Sequence, residues 1–161
     1  MSRARLGKFS WLRWSDAVVA GTEIEAMFVK PGATRNVGIK GFYGGGKGTA
    51  LTAISGIVQR LKKWTTTASS GGTAITPSPG DPGMQASKCT AGHASAGVTQ
   101  GTGGPTLLAA FVSGAAGPGG WVASDPDSVK VLEAAATMSF GFFNSSNTAS
   151  MKCELWAEVI E

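Results

Sequence analysis

Ionisable and nucleophilic chemistry is scarce in this chain of 161 residues: it has one histidine, His93, two cysteines, and only 15% charged residues. A Ser or Cys nucleophile needs a base within hydrogen-bond reach, so a single histidine leaves few ways to build one. Cys89 and Cys153 are far apart with no second pair, which excludes a disulfide framework or a CxxC zinc site and leaves one bridge open. Large aliphatics and phenylalanine are thin as well. Alanine supplies 23 residues, whereas Leu, Ile, Val and Phe together number 32, close to the level at which burial barely offsets the entropy of ordering. Low charge separates the chain from a solvated disordered tail. The expectation is one thinly cored domain, rich in small residues, that gains stability from neighbours. No apolar run approaches the length of a membrane-spanning helix, and no apolar segment of signal-peptide type follows the basic start MSRARLGKFSWLRWSD. A soluble protein made inside a cell is expected.

What is abundant is glycine, 24 residues, which with 7 prolines falls in clusters between short apolar runs. That punctuation suits an all-β chain. In SMKCELWAEVIE, Met151, Cys153, Leu155, Ala157 and Val159 alternate with Lys152, Glu154, Trp156 and Glu158, the period of a strand with one buried side. TEIEAMFVKPG predicts Ile24, Ala26 and Phe28 inward and Glu23 and Glu25 outward, ending at Pro31-Gly32. NVGIKGFYG, ASKCTAGHA, PTLLAAFVSG, VKVLEAA and TMSFGFFNSSN supply further strands. TALTAISGIVQRLKKW fits helical spacing about as well, but Gly56 in its middle favours a strand. The pattern predicts a single-domain antiparallel β-sandwich, jelly-roll-like, with long Gly/Pro/Thr-rich loops.

Charge is divided unevenly. Residues 1–63 carry a net +8 and residues 64–161 a net −4. Such halves fit a polyanion partner, charge-complementary packing of copies, or docking on an acidic protein surface. Residues 1–15 are expected to form a basic arm, with Arg3, Arg5 and Lys8 preceding Trp11, Arg13 and Trp14, and residues 16–161 the sandwich. Long loops in compact domains are functional, paired or disordered. The one from Thr65 to Gly83 holds Pro77, Pro79 and Pro82, so it reads as an extended segment ordered by another chain.

Several motifs tempt a catalytic reading. GFYGGGKGT resembles a phosphate-binding loop through Gly41, Gly46 and Lys47, but Gly48 stands where a magnesium-binding hydroxyl is needed, so a glycine-rich β-turn is the reading. Cys89 and His93 lie four apart, roughly 13 Å on a strand, beyond a dyad's reach; His93 reads as a surface or turn residue. Glu23/Glu25 and Glu154/Glu158 share outward strand faces and read as solvated charge. Asp125 and Asp127 offer too few oxygens for calcium. No catalytic, cofactor or metal residue is assigned, and no enzyme is expected. Of five tryptophans, Trp64 and Trp121 suit a core. Trp11, Trp14 and Trp156 suit an interface, and the basic residues Arg60, Lys62 and Lys63 join that candidate surface.

At TTTASSGGTAITPSPGDPG the chain resembles a family of small tailed-bacteriophage virion proteins of unassigned role. The matching pieces are Phe28 to Pro31, Val37 to Gly41, Ile57 to Arg60, Thr65 to Pro79, Leu107 to Val112 and Leu155 to Glu161, most of residues 22–161, while the basic stretch before Trp14 departs from the pattern. The resemblance implies a structural virion component: a capsid decoration or cement protein on the head surface, assembled in the host cytoplasm. Its partners would be the major capsid protein and copies of itself as dimer or trimer, with no membrane, nucleic acid, small-molecule substrate or cofactor. A tail, connector or fibre component is the alternative within virions. A carbohydrate-binding module stacking sugars on Trp11, Trp14 or Trp156 is the alternative outside them.

Overall fold

The computed structural model describes residues 9–17, 23–47, 56–80, 83, 85–94, 97–113, 119–146 and 152–161. Among them the chain forms strands β1 (Phe9–Ala17), β2 (Ile24–Lys30), β3 (Val37–Lys47), β4 (Gly56–Trp64), β5 (Thr73–Ile75), β6 (Ser78–Pro79), β7 (Thr90–His93), β8 (Thr106–Ser113), β9 (Gly119–Val122), β10 (Lys130–Leu132), β11 (Ser139–Ser146) and β12 (Lys152–Ile160). One 3-10 turn spans Pro126–Ser128. The strands make two antiparallel sheets that pack face to face as a sandwich. Sheet A runs β10-β3-β12-β1-β6 with β9 also on β3; sheet B runs β5-β7-β2-β11-β4-β8.

The core lies between the sheets and is built by the period-two pattern of each strand. Leu155, Ala157 and Val159 of β12 are at most 1% exposed, while Trp156 between them is 40% exposed on the outer side. Ile39 and Phe42 of sheet A face Met27, Leu61, Phe140 and Phe142 of sheet B, and the rings of Phe42 and Phe142 meet edge-on at 6.4 Å. Trp121 packs on the same Phe42 at 6.5 Å. Gln59, fully buried on β4, reaches across to Gly44 of β3, where a Cβ would collide with its amide nitrogen.

The TALTAISGIVQRLKKW segment is a strand from Gly56 onward; residues 48–55 lie outside the described residues. Three other expectations are corrected. First, Phe28 does not point into the core. Opposite Phe142 and Phe143 of β11 stand Met27 and Glu25, so Ala26 is the extra residue of a bulge, and the parity beyond it reverses. Met27 and Val29 therefore enter the core, and Phe28 packs over Gly92 on the outer side. Second, GFYGGGK is no turn: Gly41 to Lys47 run inside β3, paired residue by residue with β12. Third, the loop after Thr65 is not an unpaired segment awaiting another chain. It contributes β5 to sheet B and β6 to sheet A, and bridges Thr67 to Thr102 and Ser70 to Thr99. As for the stretch expected as a basic arm, residues 1–8 lie outside the described residues, and from Phe9 on the chain is β1, registered along β12 from Phe9↔Ile160 to Ala17↔Lys152.

Candidate functional site

The two outer faces of the sandwich hold the chemistry. On sheet A, register places residues in rows. Trp156 stands opposite Tyr43 of β3 and Arg13 of β1. Glu158 and Val122 flank Gly41, and Val131 is opposite Gly38. Directly opposed residues share a face, so Trp156, Val122 and Val131, the exposed large apolar side chains among the described residues at 40, 47 and 48%, belong to one surface. The hydroxyl of Tyr43 lies over Gly41. Within the same surface Lys40, left over by the bulge at Glu158/Val159, donates to Glu158 Oε1 at 3.1 Å.

On sheet B the outer face is roofed. Residues 65–71 and 97–104 pair with each other (Thr65 N to Gly103 O, 2.7 Å; Thr99 N to Ser70 O, 2.9 Å) and lie across β2, β11 and β4. Beneath them sits Glu25, fully buried. Its carboxylate accepts from the Trp64 indole N–H at 3.1 Å and from the Ser69 hydroxyl. Ser69 in turn accepts the Gly101 amide at 3.2 Å, and its own amide donates to the Ser139 hydroxyl at 2.9 Å. Gly141 makes the space, since a Cβ there would lie 2.5 Å from Glu25 Oε1. Phe143 fills the remainder, with Trp64 edge-on at 5.9 Å and the Lys62 ammonium 4.0 Å from its ring centre. Burial pushes the Glu25 carboxyl up to about 7 against the pull of Ser69, Trp64 and Lys62. The Lys62 ammonium is lowered by its own burial and by Arg60.

The structure separates the residues singled out from sequence. Trp11 is registered opposite Glu158, Arg13 opposite Trp156, and Trp14 opposite the buried Leu155, all on sheet A. Arg60 and Lys62 sit on sheet B and both engage Glu23, while the Lys63 ammonium reaches the Val131 carbonyl at 3.4 Å. Arg3, Arg5 and Lys8 lie outside the described residues. Among the described residues, segments of the basic and acidic halves of the sequence are interleaved. Acidic β12 is inserted between β1 and β3, where Glu158 meets Lys40, and the Glu161 carboxylate accepts the Lys88 amide at 3.0 and 2.9 Å.

Solvated charge is the wrong description of two carboxylates. Glu25 is sealed under the loops, and Glu158 is mostly buried against Lys40. Asp125 is engaged locally, accepting from the Ser124 hydroxyl and the Ser128 amide at 2.9 Å each, which holds its carboxyl below its usual value. Cys89 is a free, buried thiol beside Ser87, pushed up to about 11 by burial. His93 is the last residue of strand β7, not a turn residue; it is half-buried opposite Met27 and Thr73, with Nδ1 unbonded. Trp64 is covered by the loops on the outer face, not by the inter-sheet core. The signal that could have revealed the covered site was the run of Thr, Ser and Gly at 65–71, matched by GVTQGTGG at 97–104. Small hydroxyl-bearing residues pack closely on a sheet and supply hydrogen bonds to a buried acid. Comparison of the chain with protein-family models, curated proteins and solved structures gives no match.

Proposed function

We propose that the protein is a bacteriophage virion structural component, a decoration or cement protein that docks on the major capsid lattice through the outer face of sheet A. The observation that carries this reading is the open surface of Trp156, Val122 and Val131, with Tyr43 beside them and the Lys40–Glu158 pair among them. Aromatic and aliphatic groups exposed together on one sheet face, with charge interspersed, have the composition of an interface rather than of a solvated face. The Thr/Ser/Gly/Pro-rich loop whose sequence resembles phage virion proteins supports the same reading from independent residues. In this mechanism the strand ladder already orders the backbone that carries these residues, so little backbone freedom is lost on docking. Copies bound across joints between capsid subunits bury apolar area that each copy leaves wet alone.

Quantitative mass spectrometry of purified particles tests the assignment. Hundreds of copies per particle are expected; a few to tens would move it to tail, connector or fibre, and absence from particles would overturn it. Trp156→Ala is expected to lower occupancy on empty heads at least tenfold through faster dissociation, with the fold intact. Saturable sugar binding lost in the same variant would support a carbohydrate-binding module instead.

A further inference from the structure

We infer that residues 65–71 and 97–104 form a strap whose closure over sheet B is latched by a proton on Glu25. The inference is independent of what sheet A binds. The two segments are bonded mainly to each other, through Thr65–Gly103, Thr66–Thr102, Thr67–Thr102 and Ser70–Thr99. Their side chains are Thr, Ser, Gly, Ala, Val and Gln, so they bring little apolar area to hold them down. Attachment to the sheet beneath converges on a few bonds: the Val98 amide to the Glu25 carbonyl at 2.9 Å, the Ser69 amide to Ser139, and the Ser69 hydroxyl to the Glu25 carboxyl. Ser69 is the rivet. It joins the two strap segments through the Gly101 amide and joins both to Glu25.

Glu25 is a poor place for a negative charge. The strap segments and β11 carry no ionisable residue. From β4, Lys62 acts on the carboxyl, but its ammonium also binds Glu23, which Arg60 shares. From β7, His93 stands opposite Met27, which points into the core, away from this face. With the strap shut, water is replaced by Trp64, Phe143 and Ser69; with it open, the carboxylate regains hydration. A deprotonated Glu25 therefore favours the open strap, and a protonated one the closed strap.

The size of the effect follows from a carboxyl at about 7 when covered and at its ordinary 4.5 when exposed. Strap opening should rise about 30-fold between about pH 5.5 and about pH 8. Hydrogen exchange of the whole chain, corrected for the intrinsic pH dependence of exchange, reads this directly. Expected is a roughly 30-fold loss of protection confined to residues 65–71 and 97–104, absent in Glu25→Gln. A carbon NMR titration of the wild-type Glu25 carboxyl should show a midpoint near 7. Equal protection at both pH values, a loss spread over all strands, or a midpoint near 4.5 would each overturn the proposal. Should Glu25→Gln fail to fold, the wild-type exchange profile and titration still decide it.

Discussion

The two outer faces invert what residue type alone would assign. A carboxylate, Glu25, is fully buried on sheet B, while a tryptophan, Trp156, stands 40% exposed on sheet A. Both sit at outward positions of well-formed strands, so alternation is not the difference. Sheet B is crossed by two loop segments that bond to each other and to Ser139, whereas Trp156 of sheet A remains exposed between Tyr43 and Arg13. A strand's pattern chooses the side on which a residue lies; what lies beyond that side decides whether it is wet. The covered face must then satisfy every polar group it encloses, and Trp64, Ser69 and the Gly101 amide do so for Glu25 and for one another.

Aromatic truncation gives the largest test of this contrast. Phe143→Ala, under the strap, should cost about 3–5 kcal/mol in urea unfolding, whereas Trp156→Ala should cost less than about 1 kcal/mol. Equal costs would mean that the faces are equally covered. Stability of the wild type should next fall by on the order of 3 kcal/mol as pH rises. The sign follows from the raised carboxyl: between 4.5 and about 7 the folded chain holds a proton that the unfolded chain has released. The contribution is complete below about 4.5 and lost as pH rises through about 7. Urea titrations across that range, on wild type and Glu25→Gln, should show the slope only in the former. Smaller is Gly141→Ala, expected to cost about 1–3 kcal/mol because its methyl meets Glu25 Oε1 beneath a closed strap. A thermal melt unchanged by that substitution would show that the strap yields freely. Smallest is Val122→Thr on the open face, expected to stay within about 0.5 kcal/mol of wild type in the same melts.

The closing strand was the most legible element, since Leu155, Ala157 and Val159 against Trp156 leave little choice of face. β2 was legible only in part. Its bulge depends on how Phe142 and Phe143 meet it from more than a hundred residues away, and nothing in IEAMFVK marks Ala26 as the extra residue. The covered site was legible as separate pieces. Glu25 was visible as an outward acid and residues 65–83 as an unusual loop, but their junction through Ser69 required the second segment around Gly101.

By itself, the sequence determined the all-β class, because glycine- and proline-bounded runs with period two have no other way to bury half their side chains. It also determined the two sides of β12. The tertiary structure alone decided the parity of β2, the insertion of acidic β12 between β1 and β3, and the burial of Glu25. The physical reason is range. Alternation is set by neighbours along the chain, whereas bulges, strand order and the covering of a face arise from contacts between distant segments, whose free energy exists only once the sheets have come together.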